Sequence, residues 1–189
     1  ELFSETLEDF LTVANQKSDF AIIGPGIVED KKKLTSNEDT QEVKSVKGFA
    51  MFLNLSEFSQ VGFFDENFFF FLEEIDLCMR LLKQKKKIYY SPNISVYHEG
   101  GRSHDDSVNY QMELSRNWHW MWSTFYYNKK YKGFLVSLVK VLPKLVSSIT
   151  KYLIFLVLGN NEKKNIYYQR YSGLINSITG KSSWYRPKV

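Results

Sequence analysis

Between Glu5 and Gln16 the apolar residues Leu7, Phe10, Leu11 and Ala14 recur at helical spacing, which predicts an amphipathic helix capped by Ser4 with Glu5 and Glu8 in its first turns. Phe20, Ala21, Ile22 and Ile23 follow as an unbroken apolar run closed by Gly24, Pro25 and Gly26, as expected of a buried strand. Residues 29–42 carry many charges and almost no apolar side chains, so an exposed loop or insertion is expected there. Val43 to Leu55 alternates and then turns continuously apolar, predicting a strand that enters a crowded place at Gly48 and Ala50. Ser56 to Val61 reads as a short helical turn. Four consecutive phenylalanines, Phe68 to Phe71, lead into Glu73, Glu74 and Asp76, and from Glu74 to Gln84 the apolar positions again have helical spacing. Ile88–Tyr90 and Ile94–Tyr97 read as two short strands divided by Ser91, Pro92 and Asn93, with His98 and a glycine-bearing loop behind them.

Beyond Ser107 the texture changes to long helical patterns rich in Trp and Tyr, then to a strongly apolar stretch from Phe134 to Leu158. Pro143 and the lysines at 140, 144 and 151 interrupt that stretch, leaving no apolar run of the roughly 20 residues a bilayer crossing needs. Two readings stand: a helix pair lying on a membrane surface, or a helical hairpin packed on the domain. The division expected is an α/β part over residues 1–107 and a helical, membrane-associated extension over 108–189.

A length of 189 residues and 43% hydrophobic content allow one core-bearing domain with an appendage. The net charge of +4 is unevenly spread, acids crowding into the first 76 positions and Lys, Arg, Trp and Tyr filling the second half, so that half is suited to an anionic partner or simply solvated. The lone cysteine, Cys78, excludes an internal disulfide and any multi-cysteine zinc cluster, and is expected in the core.

Three carboxylates in four positions, Glu73, Glu74 and Asp76, repel one another and are costly to desolvate beside a phenylalanine run. A metal, a basic partner or a hydroxyl substrate awaiting deprotonation would compensate them, as would a solvated helix amino terminus. His98 at a strand end is a metal or phosphate ligand, or a hydrogen-bonded structural residue. Arg102 and Ser103 beside it have donors for phosphate oxygens.

Lys47–Ala50 (KGFA), Val61–Glu66 (VGFFDE), Phe69–Leu81 (FFFLEEIDLCMRL), Ile88–Pro92 (IYYSP) and His98–Ser103 (HEGGRS) resemble, in order and spacing over about residues 15 to 105, the successive blocks of rhamnosyltransferase-like members of glycosyltransferase family 2. The ending, Gly173–Pro187 (GLINSITGKSSWYRP), resembles the tails of such proteins. The resemblance implies the later part of a GT-A fold, a Rossmann-like α/β sandwich with a helical, amphipathic C-terminal extension. It implies an inverting hexosyltransferase that moves a sugar, rhamnose among the candidates, from a nucleoside diphosphate donor to a polysaccharide or lipid-linked acceptor. The acidic pair Glu73 and Glu74 would supply the base, Glu74 first. Gly48 and Ala50 would line the sugar pocket, Asp65 and Asp76 would bind the acceptor or brace the framework, and His98 would lie near a Mg²⁺ or Mn²⁺ ion and the diphosphate, with Arg102 and Ser103 on the diphosphate.

The chain departs from the family in having no Asp-x-Asp motif and no opening nucleotide-binding βαβ region, so the main metal ligands are expected outside it, in about a hundred preceding residues of a half-domain. By itself the chain is expected to be inactive, and to work at the cytoplasmic inner face of a membrane. A rival reading is a membrane-associated binding or scaffold module that kept the fold and lost the donor site. Nucleic-acid binding by the aromatic, basic tail is a third, but the apolar stretch beside it fits a membrane or a core better, and no nucleic acid is expected.

Overall fold

The computed structural model describes residues 2–28, 38–98 and 105–187, and the chain divides into two compact units. The first comprises Glu1–Asp65 and Glu73–Ser103, the second Glu66–Leu72 and His104–Val189.

The first unit is a four-stranded mixed sheet with a helix on each face. Helix α1 spans Thr6–Gln16, β1 Phe20–Val28, β2 Gln41–Glu42, β3 Phe52–Leu53, α2 Glu73–Lys83 and β4 Lys87–Tyr97. The strand order is β2-β4-β1-β3, with β1 parallel to β4 and the two short strands antiparallel at the edges. The FAII run is apolar at every position because both faces of β1 are covered. On one side Phe20 and Ile23 pack with Phe10 and Val13 of α1; on the other Ala21 and Ile22 pack with Leu77, Cys78 and Leu81 of α2. Cys78 is fully buried, and burial pushes its thiol up. This is a partial Rossmann-like α/β arrangement, followed by a helical C-terminal region.

Several local expectations change. Ser4 does not cap α1, because its hydroxyl bonds to the Glu5 carboxylate, while the Phe3 amide donates to Oγ1 of Thr6. Gly24-Pro25-Gly26 does not end β1; the strand continues to Val28. Pro25 is tolerated because β3 pairs only with Ile22 and Ile23, leaving that edge unpaired further on among the described residues. The two expected strands around Pro92 are one strand, β4, with a bulge: Pro25 is opposite Ser91, and Gly26 is opposite Ser95. From Val43 to Met51 the backbone is irregular, so the strand expected there is reduced to Phe52–Leu53, and Gln41–Glu42 within the expected loop form an edge strand. A 3₁₀ turn over Leu55–Phe58 occupies the predicted helical turn.

The second unit is a three-helix bundle, α3 over Asn109–Lys132, α4 over Phe134–Val157 and α5 over Asn161–Ile178, around Met121, Phe125, Val141 and Leu174. Gly133, at φ 78°, separates α3 from α4, and the Asn160 side chain caps α5 by accepting from the Lys163 amide. Pro143 does not break α4, since the hydrogen bond it forfeits belongs to the carbonyl of Val139 on the solvent side. Among the described residues no helix is long and apolar enough to cross a membrane.

The phenylalanine run belongs to this unit. Phe68 meets the Tyr126 ring edge-on at 5.0 Å, Phe71 meets Trp120 at 5.5 Å, and the Phe70 carbonyl accepts from Ser123. Beneath it His119 is wholly buried, its Nε2–H donating to the Tyr185 carbonyl at 2.8 Å and its Nδ1 without a partner among the described residues. Burial, aided by the charge of Arg186, pushes its pKa down to about 4, against the hydrogen bond to Tyr185. An unfolded histidine takes its proton near pH 6.5, so the neutral imidazole supports the fold above that pH and loses this support as pH falls towards 4. Acidifying from pH 7 to 4 is expected to cost the wild type roughly 2 to 3 kcal/mol more than a His119→Gln variant, measured by urea unfolding at each pH.

Candidate functional site

The acidic cluster opens α2, where the helix dipole favours negative charge. The two residues before it, Phe71 and Leu72, hold φ of 66° and 70°, a left-handed turn that costs about 1–3 kcal/mol for each non-glycine residue. The three carboxylates that follow have different fates.

Asp76 is fully buried and bonded to Nε of Arg80 at 2.8 Å. The same guanidinium donates to the carbonyls of Val61, Gly62 and Phe63, so the pair braces the loop that leads to half-buried Asp65. Glu73 points one carboxylate oxygen into the interior, where it has no hydrogen-bond partner among the described residues. Burial pushes its carboxyl up, and the charge of Glu74 adds to the effect against a bond from its own backbone amide.

Glu74 faces a cleft of about 480 Å³, lined also by Pro25 and Ile27 from the later half of β1, by Tyr90 of β4, and by Ser45, Val46 and Lys47. No hydrogen bond or ion pair among the described residues ties up its carboxylate. Its side chain lies along the backbone of Gly48: a Cβ on that glycine would sit 3.2 Å from the Glu74 Cβ and 3.4 Å from its Cγ. Phe49, the next residue, stacks on the His98 ring at 4.9 Å.

The structure thus brings Gly48 and Glu74 into contact and places His98 against the neighbour of Gly48. Ala50, Asp65 and Asp76 do not line the cleft, and Arg102 and Ser103 lie outside the described residues. No group of three His, Cys, Asp or Glu side chains among the described residues could hold a metal ion. His98 is one exposed imidazole without a second ligand beside it, so these residues do not by themselves form a metal site. Lys47, Ser45 and Tyr90 are cleft residues that the sequence did not single out. Lys47 opens the KGFA block, the one signal that could have drawn attention to it.

Over 80 residues, 42% of this chain, the sequence is 34% identical to the rhamnosyltransferase WbbL of Escherichia coli (strain K12). The chain is similar to a glycosyltransferase. The match covers 28% of that relative, so the chain spans less than a third of its length. No family model matches the chain, and no solved structure does.

Proposed function

We propose that the chain is the acceptor side of an inverting, nucleotide-sugar-dependent glycosyltransferase of the family 2 type, with Glu74 as the general base. The observation that carries this reading is the unpaired Glu74 carboxylate facing a cleft, set against a glycine that leaves room for it. The likeness to a rhamnosyltransferase supports glycosyl transfer and makes a deoxyhexose the first donor sugar to test.

An acceptor hydroxyl in the cleft gives its proton to Glu74 as its oxygen bonds to the anomeric carbon, and the bond from that carbon to the nucleoside diphosphate breaks with inversion. Glu73, whose burial favours its neutral form, is the lesser candidate for base. The Asp76–Arg80 pair keeps the loop before the phenylalanine run in place. Stabilising the departing diphosphate falls to a donor half and a divalent cation beyond these residues, and the acceptor is a glycan or a lipid-linked glycan at the inner membrane face.

The test is a transfer assay on the protein extended upstream through its donor half, with a panel of nucleotide sugars and Mg²⁺ or Mn²⁺. Transfer with inversion supports the reading. Hydrolysis or transfer with retention overturns it, and binding of a glycan without turnover by any donor favours a scaffold role.

Gly48→Ala tests positioning separately. The added methyl forces the Glu74 side chain to move by a few tenths of an ångström. The expected result is a kcat reduced about tenfold, with KM within about twofold and an unchanged melting temperature.

A further inference from the structure

Helix α4 turns an apolar seam outward. Leu135, Val139, Leu142, Val146, Ile149 and Leu153 follow one another at alternating steps of four and three residues, and Leu156 extends the series. All seven are exposed, Leu135 to 75% and Val139 to 71%. They run along about 33 Å of helix, while Ser137, Val141 and Ser148, on the other side, are buried in the bundle. Steps that average 3.5 residues are those of a coiled-coil strand, with Val139, Val146 and Leu153 at its a positions and Leu135, Leu142, Ile149 and Leu156 at its d positions.

The residues in the seam and beside it say what fits. A bilayer asks only for an apolar face and sets no spacing, whereas a facing helix demands knobs every 3.5 residues. Valine at a with leucine at d, as in Val139 with Leu142, favours two parallel strands over three or four. The edges of the seam carry Pro143 and Thr150 on one side and Leu145 and Tyr152 on the other, and no charged residue stands at any edge position. Edge charges select a different partner and repel a wrong one, so their absence leaves nothing to penalise like meeting like. At 100° per residue Lys140, Lys144 and Lys151 lie about 140° or more round the helix from the seam, and two copies seam to seam keep these cations apart. The exposure of the seven residues amounts to about four whole aliphatic side chains, on the order of 700 Å² per copy, near the ~800 Å² that each partner gives to a specific interface. Helix α4 is already folded within its bundle, so pairing does not bear the cost of nucleating a helix.

We infer that the chain pairs with a second copy of itself through α4, the two helices parallel and in register about a two-fold axis, each Val139 against its counterpart. Pairing needs neither donor nor acceptor, so it is independent of the proposed transfer reaction.

The experiment is sedimentation equilibrium on the full chain, and on the protein extended upstream through its donor half, over about 1 to 100 µM. Both are expected to dimerise with a Kd of about 10 µM or tighter. Val139→Glu with Val146→Glu places charges within the seam and should weaken pairing at least a hundredfold; both positions are exposed, and circular dichroism verifies that the helices are kept. Lys144→Gln with Lys151→Gln, on the far side, should leave Kd within about twofold. Val139→Cys should close an interchain disulfide under mild oxidation, and Lys140→Cys should not. A monomer at 100 µM, a dimer that the glutamate pair leaves intact, or a Val139→Cys chain that does not crosslink would overturn the inference. So would a dimer of the chain that the donor half abolishes, since the donor half then covers the seam. Flotation of a monomeric chain with phosphatidylglycerol vesicles, prevented by the glutamate pair, would overturn it in favour of lipid.

Discussion

Replacing Glu74 by glutamine in the enzyme with its donor half is expected to lower kcat by two to four orders of magnitude, the usual worth of a positioned general base. The change is nearly isosteric, so the side chain still packs along Gly48 and keeps its place in the cleft. What it loses is the ability to take a proton. KM for the donor should stay within about threefold. Glu73→Gln should do the opposite: kcat falls by less than tenfold, and the protein gains stability at neutral pH. The sign follows from the raised pKa of Glu73. Its folded carboxyl gives up its proton less readily than the unfolded one, so its charge costs stability above the unfolded pKa and that cost is relieved as pH falls. If Glu73→Gln abolishes turnover and Glu74→Gln spares it, the two roles are exchanged.

Gly173→Ala is expected to be the most damaging single methyl in the helical unit. The Cβ it introduces would lie 2.2 Å from the carbonyl oxygen of Trp118 and 3.0 Å from its carbonyl carbon, so the backbones of α3 and α5 would have to separate. A flexible side chain could swing away from such a clash, whereas a helical carbonyl in the core cannot. The separation would loosen the bond from the Ser177 hydroxyl to the Trp122 carbonyl and that from the Trp118 indole to Ser172. Overpacking of this kind costs about 3 kcal/mol or more, which for a unit of this size lowers the melting temperature by roughly 10–20 °C. Gly180→Ala is the comparison: that glycine has open space around it and only a φ of 78° to maintain, so about 1 kcal/mol is expected. Thermal melts followed by circular dichroism distinguish the two, and a Gly173→Ala melt within 3 °C of wild type would mean that the helices do not approach this closely.

Where one periodicity ran unopposed, the sequence was a sufficient guide. The helical spacing in α2 and the apolar FAII run lie in elements whose burial matches their pattern, and Cys78 is in the core as its type suggested, whereas α1 forms where expected but leaves Leu7 and Leu11 of its pattern exposed and buries Val13 with Phe10 instead. Proline misled the reading wherever the surroundings removed its penalty. Pro25 lies on an unpaired strand edge, Pro92 sits in a bulge, and Pro143 is on the wet side of α4. Close approach was the other hidden variable. Crowding at Gly48 was anticipated from its neighbours, but nothing near Gly173 in sequence announces the carbonyl of Trp118, 55 residues earlier. In the site, Glu74 stood out through its acidic neighbours. The separate fates of Glu73 and Asp76 depend on a buried oxygen and on an arginine four residues away, and spacing shows neither.

The seven residues Glu66–Leu72 belong to the helical unit yet are threaded between two stretches of the sheet-bearing one. During synthesis this means that the chain must make the whole first unit, phenylalanines included, before α3 exists to receive Phe68 and Phe71. A nascent protein halted near residue 107 would carry four unsheltered aromatic rings in a row, the kind of segment chaperones hold. Truncating the chain ahead of α3 would therefore produce an aggregating polypeptide rather than a smaller working domain. The genetic unit of inheritance here is the interleaved pair, and a recombination event that exchanged the helical tail for another would have to carry the aromatic segment with it.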